Sequence, residues 1–385
     1  MTSSILVESP MGPLGGGKGI GLQPTAMVSD MISLYRPAKH FRREPGHHGP
    51  RVPATTPTTI QSLDFDNEGS LLLTSESDSS MQIYNVREGK HSKTLLSQKY
   101  GVGHAMFAHA SGCIIHSSTK LNNTIRYLST HDNSYLRYFE GHEKNVTCLA
   151  LHPGQDNFIS CSEDNTLRVW EAGSKNCCGK LKLNGAYLAA WDPSGNVFAV
   201  ASPTAHTILL YDFRNFDKEP FASFDMLPHY TPEITKNISK SWNSLEFSND
   251  GKSLLLSTNG KSHFLLDAFD GTLKASLRRE RSGVARLGAG DKNPEGLDPQ
   301  AASYLYPSTG DACFTPDGRY VLSGSRQHNI LIWDTMAPYL EKYMTPTHEL
   351  VYKGDTAVIA FNPRLHFFAT ADKEVVFWVP DQSLA

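Results

Sequence analysis

The stretch GHEKNVTCLALHPGQDNFISCSEDNTLRVWE, residues 141–171, holds three short apolar segments separated by two turns. VTCLAL and FISCS have the length and pattern of strands, Pro153-Gly154 turns the chain between them, Glu163-Asp164-Asn165 turns it again, and TLRVW follows as a third strand. The first half of this unit recurs along the chain as LDFDNEGSLLL, AMFAHASGCII, LALHPGQDNFI, AAWDPSGNVFA, LEFSNDGKSLL, ACFTPDGRYVL and IAFNPRLHFFA. Phe65, Phe107, Leu151, Trp191, Phe247, Phe314 and Phe361 mark the seven copies, at intervals of about 40 to 67 residues. One such unit is a small sheet that cannot bury its own faces, so neighbouring copies must stack.

Seven stacked sheets predict an all-β fold, a seven-bladed β-propeller, and the tighter intervals fall in the ~40–45-residue range of WD40 repeats, which the units resemble. In blade three, His142, Ser160, Asp164 and Trp170 match the family's structural tetrad. The resemblance implies a buried relay of indole, hydroxyl, imidazole and carboxylate, because a buried Asp is costly unless paired. These four residues are read as structural, not as a catalytic His-Asp pair. Elsewhere the pattern decays. Trp333-Asp334 is a true Trp-Asp pair, Tyr211-Asp212 and Tyr84-Asn85 are substitutes, and blade three alone retains the whole tetrad.

The last repeat, AVIAFNP, FFATADK and VVFWVP, is one strand short. LYRPAKHFRR, residues 34–43, is predicted to pair as the outer strand of blade seven, lock the ring and remove an exposed inner edge. The organisation is then a flexible Gly/Pro/Ser-rich tail over residues 1–28, a propeller over 29–380 and a short tail over 381–385. Residues 44–57 form a His/Gly/Pro-rich connector, 227–240 a lengthened link, and 281–307 a long inserted loop.

A formal net charge of −3 gives no overall attraction to nucleic acid or an anionic membrane, and no direct sequence-specific nucleic-acid binding is expected. Six cysteines without a CxxC pair suit a reducing compartment. With no signal-peptide pattern and no apolar run near ~20 residues, an intracellular protein without membrane attachment is expected. Motifs for chemistry are weak. GPLGGGKG (residues 12–19) imitates a phosphate loop, but Gly19 stands where Ser or Thr would hold Mg²⁺ and no helix pattern follows. His47-His48 lies in a connector, and the sixteen histidines are scattered. No catalytic residue, metal or cofactor is assigned, and a non-catalytic platform is expected.

The runs NNTIRYLSTHDNSYLRYFEGHEKNV (residues 122–146), KYGVGHAMFAHASG, YDFRNFDKEPFASF and LEFSNDGKSLLLSTNG resemble the WD-repeat subunit shared by the COMPASS histone H3 lysine-4 methyltransferase and, in fungi, the cleavage and polyadenylation factor. The resemblance covers roughly residues 29–380. It implies a nuclear scaffold that binds a segment of the SET-domain methyltransferase, joins a 3′-end-processing module with a type 1 phosphatase, and in some members recognises the phosphorylated C-terminal repeat of RNA polymerase II. On the face built from the b–c turns and d–a links, Lys120, Asn122, Lys144, Asn145 and Glu163 are the polar contact candidates. Lys120, Arg126 and Lys144 are the basic donors available to a phosphopeptide. An alternative reading is a cullin–RING substrate receptor, since Tyr211-Asp212-Phe213-Arg214 is similar to a W-D-x-R docking box with Arg214 as its contact.

Overall fold

The computed structural model describes residues 27–42, 58–185, 188–229, 242–259, 262–279, 312–325, 329–338 and 342–381. They form seven antiparallel sheets, each starting with an innermost strand a and proceeding outward through b, c and d. Every marker residue closes a strand a: Ile60–Phe65, Ala105–Phe107, Val146–Leu151, Leu188–Trp191, Trp242–Phe247, Ala312–Phe314 and Val358–Phe361. The chain is therefore a seven-bladed propeller.

Stability lies between the blades. Strands b and c are buried on both faces because a sheet packs on either side of them. In the seam between blades four and five, Leu210 and Phe224 pack with Leu254 and Phe264; in that between blades three and four, Ile159 and Val169 pack with Phe198 and Tyr211. Each fully buried large apolar side chain contributes about 1.5–3 kcal/mol. Cys113, Cys148, Cys161, Cys177, Cys178 and Cys313 are all free thiols.

The a–b turns add a polar seam. Asn362 Nδ2 donates to Gly69 O (2.8 Å), and Asn67 Nδ2 donates to His109 Nδ1 (3.0 Å). His109 Nε2–H then reaches His152 O (2.8 Å), and His152 Nε2–H reaches Gly195 O (3.0 Å). Blades seven, one, two, three and four are thus stitched in sequence, each turn satisfying a group on the next. Gly69 is required here: its φ is +66° and a Cβ would lie 2.2 Å from Asn362 Oδ1.

Blade seven is completed by Tyr35–Phe41, antiparallel to Val375–Pro380. The edge it covers belongs to the third strand of that blade, so the shielded edge is an outer one, not the inner edge expected from the sequence. Tyr35 packs 5.1 Å from Phe368, and Glu374 accepts from Arg42 and from Tyr352 Oη (2.8 Å). Two boundaries also shift. Val28, assigned to the flexible tail, starts the helical turn Val28–Met31 and is buried, and Asp381, assigned to the C-terminal tail, donates its N–H to Leu34 O at 3.0 Å. Blade five has an unforeseen fifth strand, Tyr343–Met344, supplied in parallel by the segment between strands c and d of blade six. The connector 44–57, all but the first three residues of the link 227–240, and the loop 281–307 lie outside the described residues.

Candidate interaction surface of blades two and three

In blade three, strands Asn157–Ser162 and Thr166–Glu171 bring the four tetrad side chains together. Trp170 Nε1–H donates to Ser160 Oγ (2.8 Å), Ser160 Oγ–H to His142 Nε2 (2.7 Å), and His142 Nδ1–H to Asp164 Oδ2 (3.0 Å). Asp164 also accepts from Thr166 Oγ1 (2.6 Å) and Glu143 N (3.0 Å). Burial pushes the Asp164 carboxyl up, but these donors outweigh it and hold the group at about 2. Burial lowers His142, the Asp164 contact opposing, so the imidazole is neutral and its tautomer is fixed by the relay. Every polar atom in the relay is used, and none points at solvent as a nucleophile or base.

Blade six builds a different relay. Thr258 N–H donates to His263 Nδ1 (3.1 Å), which places the ring proton on Nε2, and Nε2–H donates to Ser323 Oγ (2.8 Å). Ser323 is the counterpart of Ser160, but its imidazole comes from strand Ser262–Asp267 of blade five. The indole Nε1 of Trp333 is buried without a partner among the described residues.

The sequence candidates divide. Lys144 and Asn145 are exposed in the link between blades two and three, and Glu163 is half-buried in the next b–c turn. Lys120 is exposed, but its Nζ donates to Ser79 Oγ of blade one (2.7 Å). Asn122 accepts from Arg126 Nη2 (2.9 Å). Arg126 is not a rim donor. It lies in strand Ile125–Ser129, is 1% exposed, and its guanidinium sits 3.6 Å over Tyr100, 5.1 Å from Tyr138 and 5.7 Å from Tyr135. The three basic side chains are therefore not equivalent surface donors. Charge suggested exposure, but a blade-two strand c is enclosed by neighbouring sheets whatever its residues. Sequence reasoning missed Tyr100, Tyr135 and His116 here, although the aromatic spacing in SQKYG and SYLRYF signals an unusual outer strand.

Arg214 is exposed on the turn after strand Thr207–Asp212, where Asp212 Oδ1 accepts from Arg214 N (2.9 Å). That bond ends the strand and starts the Phe213–Asn215 turn, which accounts for the Asp-x-Arg spacing.

The central channel is a cavity of about 660 Å³ at the a–b face, lined by Asp64, Glu246, Phe314, Phe361 and Arg364 among others. Asp64 Oδ2 accepts from Phe107 N (2.6 Å) and Glu246 Oε2 from Phe314 N (3.2 Å), so each carboxylate clips its blade to the next. Burial pushes Asp64 up to about 7 and Glu246 up to about 8, the backbone donors of Phe107 and Phe314 opposing. Among the described residues no three His, Cys, Asp or Glu side chains gather as a metal site.

Comparison with known proteins agrees with this architecture. The profile "WD domain, G-beta repeat" matches residues 133–171 and 310–334. The chain is 37% identical to WD repeat-containing protein 82 of Drosophila melanogaster, over 92% of this chain and 97% of that protein. It is 35% identical to COMPASS component SWD2 of Saccharomyces cerevisiae, over 84% and 91% of the two chains. To Set1 complex component swd2 of Schizosaccharomyces pombe it is 32% identical, over 83% and 92%.

Proposed function

Since the chain belongs to the WD-repeat family that includes COMPASS component SWD2 and WD repeat-containing protein 82, we propose that it is a non-catalytic scaffold subunit of a COMPASS histone H3 lysine-4 methyltransferase, acting in the nucleus. The observation that carries this reading is a similarity of 35% identity extending over 84% of this chain and 91% of COMPASS component SWD2. Its partners are a segment of the SET-domain methyltransferase and other COMPASS subunits. The same reading extends to the cleavage and polyadenylation factor with its type 1 phosphatase module, and to the phosphorylated C-terminal repeat of RNA polymerase II. It takes Lys120, Asn122, Lys144, Asn145 and Glu163 as contacts, on a face where turns from several blades are open to extended peptides. A rigid ring with satisfied relays suits this role, because docking on it costs little ordering of the scaffold.

The test is purification of the tagged protein from nuclear extract at mild salt, with stoichiometric partners identified by mass spectrometry. Methyltransferase and polyadenylation subunits together support both assignments. One set alone assigns the protein to that complex, and neither set overturns the reading.

A further inference from the structure

The boundary between blades one and two holds a buried cation without a paired anion. Arg126 makes no ion pair among the described residues, and Glu140 acts on it only from a distance. Tyr100 covers one face of the guanidinium and Asn122 takes Nη2, which leaves Nε buried without a partner. His116 stands directly opposite Arg126 on strand Cys113–Ser117, and Ser118 follows on the same face. His116 Nε2 and Ser118 Oγ are likewise buried with no partner among the described residues. Three polar groups in this state on one side of a blade depart from the native rule that buried polar atoms are satisfied.

The rim above points the same way. Leu121 is 75% exposed and held at φ +64°, a conformation that a leucine adopts only under constraint from its surroundings. Leu96 and Tyr138 are also exposed, and Lys99 Nζ lies 5.0 Å over the ring of Tyr100. Apolar shoulders thus flank a basic, aromatic floor.

We propose that this boundary opens to receive the acidic side chain of an extended partner peptide, its carboxylate pairing with Arg126 and its flanking apolar residues resting on the exposed Leu96, Leu121 and Tyr138. The assignment rests on the scaffold reading and fixes one of its contacts. A carboxylate fits better than a phosphate because one guanidinium edge matches a single negative charge, whereas a phosphate dianion calls for several donors and Lys120 is already engaged by Ser79.

The full chain, ¹⁵N-labelled, is titrated with the peptide Ac-Ala-Leu-Asp-Leu-Ala-amide and with its asparagine and phosphoserine counterparts, reading the Arg126 Nε–H resonance. The expected result is a saturable shift with the aspartate peptide and binding at least about tenfold weaker for the asparagine peptide. Equal responses, or none, overturn the proposal and leave a water-filled pocket; tighter binding of the phosphoserine peptide overturns it in favour of a phosphate site. Asn122→Asp brings an internal carboxylate to Arg126 and should abolish the response while the chain stays folded, read from amide resonances of the other blades that do not move. A retained response in that variant also overturns the proposal. Because the titration uses the isolated chain, its failure sinks this contact and leaves the scaffold reading to the purification experiment.

Discussion

Blades two and three are neighbours with the same strand topology, yet they treat the buried polar side chain of strand b in opposite ways. Blade three encloses an anion, Asp164, and surrounds it with donors until nothing is left unmade. At the position equivalent to Ser160, blade two carries His116, whose Nε2 has no partner among the described residues, opposite a cation caged by tyrosines; an unused arginine Nε is common to both blades, at Arg126 and Arg168. The contrast teaches that repeat architecture fixes where a side chain goes but not whether its chemistry is completed internally. A satisfied relay serves the ring. An incomplete one is available to a partner.

The largest expected effect is in blade three. Asp164→Ala should lower stability by about 2–3 kcal/mol, read from the urea midpoint, since it strands His142 and Thr166 in a side-chain environment 6% exposed at the carboxylate. A loss below about 1 kcal/mol would break the comparison. The same difference carries a pH signature. The folded Asp164 carboxyl sits at about 2, below its ordinary 3.8, so its contribution is complete above the ordinary value and disappears as pH falls from there through about 2. The gap between wild type and Asp164→Ala should close over that window and stay constant above it.

Next comes a pair of matched substitutions. Trp170→Phe and Trp333→Phe remove the same volume, but only Trp170 loses a hydrogen bond, to Ser160. The blade-three variant should be less stable than the blade-six variant by about 1 kcal/mol in parallel urea titrations. Equal losses would mean that the indole bond in blade three contributes nothing. The smallest effect is expected at Arg126→Met, which replaces an unpaired buried cation by an apolar chain of similar length. Its unfolding midpoint should move by no more than about 1 kcal/mol in either direction. A loss as large as that of Asp164→Ala would show that the tyrosine cage, and not an absent anion, is what Arg126 serves.

Much of this was legible in the sequence. The seven marker residues each close an innermost strand because an apolar residue before a tight turn is a local signal, and the missing strand of blade seven could be assigned to residues 34–43 by counting. Blade three announced its relay through Gly141-His142 and Trp170. What stayed hidden was non-local. Nothing near Ser323 says that its imidazole arrives from blade five as His263, and a two-residue parallel strand such as Tyr343–Met344 is too short to leave a pattern. Arg126 was misplaced because charge normally reports exposure, a rule that fails in strands packed on both faces.

The seam in blade seven joins the first ordered strand to the last, with Tyr35 opposite Pro380 and Phe41 opposite Val375. The chain therefore enters Tyr35–Phe41 and leaves Val375–Pro380 at the same end of one antiparallel pair. A force applied through the termini would peel this seam one rung at a time, as a zipper opens, instead of shearing all its hydrogen bonds together. During synthesis the same geometry makes Tyr35–Phe41 wait until Val375–Pro380 has left the ribosome before the ring can close.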